Sequence, residues 1–119
     1  MRIVLDTNFL MLPAQFKIDI FEELRGNELI TFSACIKELK KIAGSRKKDA
    51  AFARAVLEML KKEEIRVVKT GKKADKTIMD YAAKNECAVA TNDKKLLKAL
   101  KNKGIKILRL RQRKYIIEV

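Results

Sequence analysis

The stretch Arg2-Ile3-Val4-Leu5-Asp6-Thr7-Asn8 decides the fold, because a short apolar run gives way abruptly to polar residues. Residues 2–5 are typical of a short buried strand, and Asp6 follows at its end. The same change occurs at residues 87–93, where an apolar run ends in Thr91-Asn92-Asp93. Asp75 opens a helical stretch after the strand-like residues 65–68. In a chain that alternates strands and helices, such positions gather at one edge of the sheet.

Strands and helices alternate along the whole chain. Strands are predicted at 2–5, 29–32, 65–68, 87–90 and 105–108, with a strand-like tail at 115–117. Helices are predicted at 18–24, 33–43, 49–63, 75–85 and 94–103, with Ser33 as the cap of the second helix. Pro13 is expected to end a separate apolar patch, Phe9 to Leu12. The pattern predicts an α/β fold, a three-layer α/β/α sandwich with a central parallel sheet of about five strands. We expect one domain spanning residues 1–119.

The charge balance indicates a polyanionic partner. The chain has 119 residues, 28 Lys plus Arg, 15 Asp plus Glu and no His, which gives a net charge of +13. A strongly basic surface favours nucleic acid, although such a surface also serves solubility. No apolar run approaches the roughly 20 residues that span a bilayer, and no signal-peptide pattern opens the chain, so we expect a cytoplasmic protein without membrane contact. Cys35 and Cys87 lack zinc-site spacing and are interpreted as core residues, with a disulfide left open.

Each of the three aspartates has a structural explanation as well as a functional one. Asp93 and Asp75 are well placed to cap the helices that follow them. Asp6 is placed to form an Asx-turn with Asn8. Taken singly, these explanations are stronger than the functional one. Three aspartates expected at one sheet edge favour a shared site instead.

Glu38 is a fourth candidate for that site. It lies at the margin of an inward helical stripe formed by Cys35, Leu39 and Ile42. A carboxylate pressed against a core is costly unless it is paired or bound to metal. The alternative is a solvated Glu38, or one paired with a neighbouring lysine.

Four carboxylates without histidine make a hard oxygen-donor set. Such a set suits Mg²⁺ or Mn²⁺ and excludes ordinary zinc chemistry. A divalent ion would also reverse the local negative charge that otherwise repels a phosphodiester. Basic residues bracket the acids and predict a nucleic-acid path across the site. The candidates for contacting that nucleic acid are Lys41, Arg46, Lys72, Lys73, Lys94, Arg109 and Arg111. Tyr115 is a further candidate, for stacking on a base.

The order of these motifs resembles that of the PIN domain family. The matching residues are Asp6-Thr7-Asn8, Glu38-Leu39, Asp75 to Ile78 and Thr91-Asn92-Asp93. The resemblance implies metal-dependent cleavage of single-stranded RNA, with catalytic and metal-binding roles for Asp6, Glu38, Asp75 and Asp93. It also implies that Thr7, Asn8, Thr91 and Asn92 orient the carboxylates or a water molecule.

The basic end, Leu108-Arg109-Leu110-Arg111-Gln112, resembles archaeal relatives of the eukaryotic PIN nuclease that processes small-subunit ribosomal RNA. That subgroup often has a second Asp after the third acid, where this chain has Lys76. VapC-type toxins share the same acids. The resemblance therefore leaves three functions open: an endoribonuclease in ribosomal RNA processing, a non-catalytic RNA-binding or assembly module, and a ribonuclease toxin. Expected partners are RNA, a second copy of the chain, a ribosome-assembly protein or an antitoxin.

Overall fold

The protein is described by a computed structural model that covers residues 1–71 and 75–119. Its strands are β1 (Arg2–Leu5), β2 (Glu28–Phe32), β3 (Ile65–Val68), β4 (Ala88–Ala90), β5 (Ile107–Arg111) and β6 (Tyr115–Glu118). Its helices are α1 (Thr7–Phe16), α2 (Ile20–Glu23), α3 (Ser33–Ala43), α4 (Ala50–Leu60), α5 (Asp75–Asn85) and α6 (Lys94–Asn102). None of these helices is long and apolar enough to cross a membrane.

The strands form one sheet in the order β3-β2-β1-β4-β5-β6. The first five strands pair in parallel, and β6 pairs antiparallel with β5. The α/β prediction and the parallel sheet are confirmed, and the strand-like tail adds a sixth, antiparallel strand. The chain moves from β1 outward to β3 and then crosses to β4 on the other side of β1. The direction of winding therefore reverses between β1 and β4, where open α/β sheets place their ligands.

Each face of the sheet has its own hydrophobic core. One core packs β1 side chains such as Ile3 and Leu5 against α1 and α4. The other packs Val4 and Val89 against α5 and α6. Alternate residues of a strand point to opposite faces, so consecutive apolar residues are needed when both faces are covered. The two cores lie between the sheet and the helices on each of its faces, and the fold therefore has three layers.

Two local predictions are wrong for identifiable reasons. Pro13 does not end the apolar patch, because α1 begins at Thr7 and continues through Pro13 to Phe16. Phe9 to Pro13 are all buried, and that burial offsets the backbone hydrogen bond that proline cannot donate. Ser33 does not cap α3, since the helix begins at Ser33 itself. Its hydroxyl instead bonds the backbone of Thr70 beyond β3, accepting from the nitrogen at 2.9 Å and donating to the carbonyl at 3.2 Å.

The two cysteines are core residues, as predicted. Cys35 and Cys87 are buried, and both are free thiols. Phe52 and Tyr81 are half-buried, and the ring of Tyr81 meets that of Phe32 edge-on with 5.4 Å between centroids.

Candidate active site

Asp6 lies where β1 passes into α1, beside the point at which the sheet winding reverses. Only 3% of the Asp6 surface is exposed to solvent. Its Oδ1 accepts a hydrogen bond from the Phe9 backbone nitrogen at 2.7 Å and so caps α1. The predicted Asx-turn with Asn8 is therefore replaced by a helix cap. The positive end of the helix dipole favours the ionised carboxylate at this position.

Thr91 connects Asp6 to the end of β4. Leu5 is paired with Ala90 in the sheet, which brings Asp6 level with Thr91. The buried Thr91 hydroxyl donates to Asp6 Oδ2 at 2.5 Å and accepts from the Asp93 backbone nitrogen at 3.1 Å. One hydroxyl thus fixes the Asp6 carboxylate and the backbone that carries Asp93.

Asp93 caps α6, as the structural explanation of this residue predicted. Its Oδ1 accepts from the backbone nitrogens of Lys95 at 2.9 Å and Leu96 at 3.3 Å. Unlike Asp6, Asp93 is exposed. Capping and a role in a ligand site are compatible here, because the cap holds an exposed carboxylate in place at the carboxyl edge of the sheet.

Glu38 and Asp75 lie on different helices, α3 and α5. Glu38 is half-buried on α3 and lines a groove of about 400 Å³, together with residues that include Ser33, Lys41 and Thr70. Asp75 is the first residue of α5 and is also half-buried. The Ser33–Thr70 hydrogen bonds tie the start of α3 to the end of β3 and so shape the Glu38 groove.

The donor chemistry fits a hard divalent cation, because the candidate ligands offer only carboxylate oxygens. Across residues 1–71 and 75–119, no three Asp, Glu or Cys side chains lie together in a way that could hold a metal ion. Mg²⁺ usually retains several waters and is held by one or two carboxylates together with substrate phosphates. Two carboxylates at the strand ends are therefore enough to bind Mg²⁺, because waters and substrate phosphates supply the remaining ligands.

The other polar residues of the two motifs differ in their contacts. Thr7 is buried, and its hydroxyl has no hydrogen-bond partner among the residues that the structure describes. Asn8 is exposed on the first turn of α1. Asn92 contacts β5, where its Oδ1 accepts from Leu110 N at 2.8 Å and its Nδ2 donates to Leu110 O at 3.4 Å.

Thr31 supports the site and was missed by the sequence analysis. It is fully buried on β2, and its hydroxyl donates to the Leu5 carbonyl at 2.9 Å, one residue before Asp6. The signal in the sequence was a single hydroxyl residue within the apolar run Leu29-Ile30-Thr31-Phe32. A buried hydroxyl needs a partner, so such a residue marks a contact with a neighbouring strand.

The basic residues predicted to contact RNA lie on the surface wherever the structure describes them. Those exposed are Lys41, Arg46, Lys94, Arg109 and Arg111. Lys72 and Lys73 lie outside the described residues. Lys41 lines the Glu38 groove, and Lys94 follows Asp93 on the first turn of α6. Arg109 and Arg111 lie on β5.

A larger cavity of about 970 Å³ lies beside this region, between α3, α4 and the edge strand β3. Apolar residues such as Ile36, Leu57 and Val67 line it, and Ser33 and Lys37 border both this cavity and the Glu38 groove. Size alone does not make it the reactive site, because the buried Asp6 and the Thr91 bridge lie elsewhere, at the β1 and β4 ends.

Comparisons with known proteins agree with this architecture. The chain is 35% identical to Ribonuclease VapC9 of Archaeoglobus fulgidus, over 95% of this chain and 85% of that protein. It is 34% identical to Ribonuclease VapC4 of Methanocaldococcus jannaschii, over 96% and 93% of the two chains. The structure of the PIN domain endonuclease Utp24 superposes with a TM-score of 0.79 at 28% identity, covering 97% of this chain and 88% of Utp24.

A domain of a protein of unknown function from Methanocaldococcus jannaschii shares the fold, with a TM-score of 0.66 at 17% identity over 99% of this chain and 96% of that one. Residues 3–113 match the family described as PIN like domain. The resemblance that the acidic motifs indicated is therefore confirmed, and the chain belongs to the PIN-like domain family.

Proposed function

We propose that the protein is a divalent-metal-dependent endoribonuclease that cleaves single-stranded RNA in the cytoplasm, with ribosomal RNA as a candidate substrate. The observation that supports it best is the Asp6–Thr91–Asp93 connection at the reversal point of a PIN-like sheet. The relatives named ribonucleases and the endonuclease Utp24 support the same reaction class. A net charge of +13 supports a polyanionic substrate.

The proposed roles follow from position. Asp6 and Asp93 would hold Mg²⁺ or Mn²⁺ at the ends of β1 and β4, and Glu38 and Asp75 would complete the acidic set around the substrate. Such an ion would make a water molecule more nucleophilic and would stabilise charge on phosphodiester oxygens. Thr91 keeps Asp6 in one orientation, and the exposed basic residues bind the flanking phosphates.

The test compares Asp6→Asn and Asp93→Asn with the unaltered protein in cleavage of single-stranded RNA, with Mg²⁺, Mn²⁺ or EDTA present. We expect metal-dependent cleavage that both substitutions abolish, because an amide is a poor ligand for a hard cation. Asp49→Asn is the matched control, since Asp49 stands at the N-cap position of α4 without a side-chain capping bond. Unchanged cleavage in both variants, with circular dichroism showing native folding, would sink the proposal.

A second candidate is a non-catalytic RNA-binding or assembly module. One observation favours it: Lys76, rather than a second Asp, follows Asp75. Tight RNA binding that is independent of metal, without cleavage under any divalent ion, would support this function.

A third candidate is a ribonuclease toxin with an antitoxin partner. The identities of 35% and 34% to two proteins named VapC favour it. Growth arrest on expression, relieved by Asp6→Asn, separates a toxin from a processing enzyme.

A further inference from the structure

The β5–β6 hairpin presents two different faces. Leu108 and Leu110 are buried in one core, and Ile116 of β6 packs against the same core. Because strand residues alternate, Arg109 and Arg111 point to the opposite face, where both are exposed. Their partners across the hairpin are Ile117 and Tyr115. We call the surface formed by Arg109, Arg111, Tyr115 and Ile117 the hairpin face.

Tyr115 is the most exposed large apolar residue of the chain's described part. Its surface is 55% exposed to solvent, and it lies directly opposite Arg111 in the hairpin. A phenol ring beside a guanidinium group on an open sheet surface is a platform on which a flat base can stack. Arginine guanidinium planes stack on unpaired bases as well.

The hairpin face carries positive charge without local compensation. Neither Arg109 nor Arg111 forms an ion pair with a carboxylate of residues 1–71 or 75–119. Glu118, the carboxylate of β6, points to the other face and pairs with Lys106 at 3.4 Å. The surface is therefore complementary to phosphate groups.

Asn92 joins this face to the acidic site. It bonds both backbone groups of Leu110, the residue between Arg109 and Arg111, and it directly precedes Asp93. The register of β5 relative to the β4 end is thereby fixed. A strand of RNA whose phosphodiester lies at Asp93 has the hairpin face as an adjacent surface.

We propose that the hairpin face binds the nucleotides next to the cleavage position of a single-stranded RNA, with a base stacked on Tyr115 and phosphates held by Arg109 and Arg111. This inference rests on the proposed function, which supplies the RNA substrate. Bases of a duplex are already stacked on each other and cannot lie on Tyr115. The hairpin face therefore selects single strands over duplexes.

The experiment measures binding of a fluorescein-labelled oligouridylate, about 12 nucleotides long, in EDTA so that cleavage does not occur. Tyr115→Ala is expected to weaken binding by roughly 10-fold, because stacking contributes about 1–3 kcal/mol per base. Tyr115→Phe retains the ring and is expected to bind like the unaltered protein. Binding to the same strand paired with oligoadenylate should not respond to Tyr115→Ala.

Arg111→Gln provides a second variant on the same face. Loss of one phosphate contact should reduce the slope of log Kd against log salt by about 0.7 for a single strand. Lys103→Gln removes the same charge at the C-cap of α6 and serves as the control, with an unchanged slope expected.

Equal affinities of the unaltered protein and Tyr115→Ala, together with an unchanged salt slope in Arg111→Gln, would overturn the proposal. If cleavage by the unaltered protein still depends on Asp6 in that case, the endoribonuclease function stands and only the hairpin face is wrong. Absence of RNA binding by the unaltered protein in EDTA would overturn the hairpin face, and absence of cleavage with Mg²⁺ or Mn²⁺ as well would overturn both proposals.

Discussion

At the scale of single residues, the Thr91 hydroxyl makes the hydrogen bonds that connect the two aspartates of the site. It donates to the buried Asp6 carboxylate and accepts from the Asp93 backbone, so it couples the ends of two neighbouring strands. A buried carboxylate is costly unless its oxygens accept hydrogen bonds, pair with a cation or bind a metal. The hydroxyl thus has a structural role that can be measured apart from activity.

Thr91→Val removes this hydroxyl while keeping the side-chain volume. We expect the free energy of unfolding to fall by about 1–3 kcal/mol, the usual loss when a buried polar group loses its partner. Urea unfolding followed by circular dichroism measures the change. Thr91→Ser, which retains the hydroxyl, is the control. A stability of Thr91→Val equal to that of the unaltered protein would contradict the role assigned to the bridge.

Cys87 gives a pH-dependent prediction. Burial raises the pKa of the Cys87 thiol, and nearby Arg2 opposes that shift. A thiol with a raised folded pKa binds its proton more tightly in the folded state, so it lowers stability as pH rises above the unfolded value of about 8.5. Cys87→Ala removes this contribution.

Unfolding free energies at several pH values between about 7 and 10 should decline less steeply in Cys87→Ala than in the unaltered protein. Alkylation by iodoacetamide provides a second check, because a buried thiol with a raised pKa reacts slowly. Rapid labelling of Cys87 in the folded protein at neutral pH would contradict the prediction.

At the scale of elements, the junctions between strands and helices carry the functional side chains. Asp6 caps α1 and Asp93 caps α6, so the same carboxylates that begin helices are held at the sheet edge. Asn92 extends the contact between β4 and β5 beyond the three residues of β4. The Asn92 side chain thus bonds the β5 backbone beyond the point where β4 ends.

Asn92→Ala should loosen the β5–β6 hairpin. The two hydrogen bonds to Leu110 contribute about 0.5–1.5 kcal/mol each, so the Leu110 amide should exchange with solvent about tenfold faster or more. Hydrogen exchange measured by NMR reports this residue directly. The Ile30 amide, in the interior strand β2, is the internal reference. Equal protection of Leu110 in both proteins would show that the Asn92 contact does not hold the hairpin.

At the scale of the whole molecule, charge and topology act together. The sheet order brings Asp6 and Asp93 to the ends of the neighbouring strands β1 and β4, in a chain that has 28 basic and 15 acidic residues. The ion pairs described within residues 1–71 and 75–119, such as Arg25–Glu22 and Lys61–Glu58, are exposed and contribute little to stability. Exposed pairs of this kind leave the basic side chains of these residues accessible to a polyanion.

RNA affinity should fall steeply with salt. If five phosphates are neutralised, a rise from about 50 to 200 mM salt should weaken binding by roughly 100-fold, because each contact with a single strand contributes about −0.7 to the slope. Fluorescence anisotropy in EDTA measures the dependence. Sucrose at matched osmolarity should leave the affinity unchanged, and a flat salt response would contradict electrostatic binding.

The sequence by itself determined the α/β fold and the positions of its principal acids. Alternating apolar runs and polar breaks required a parallel sheet, and parallel strands bring their carboxyl ends to one edge. The motif order around Asp6 and Asp93 also indicated the family, because those motifs are local in sequence.

Only the tertiary structure decided which groups meet. Pro13 lies inside α1 because burial outweighs one missing hydrogen bond, a balance that the local sequence cannot reveal. The Thr91 bridge joins residues 85 positions apart, and the Thr31–Leu5 bond joins residues 26 apart. Such contacts depend on strand register, which is fixed by packing of both sheet faces and therefore exists only in the folded chain.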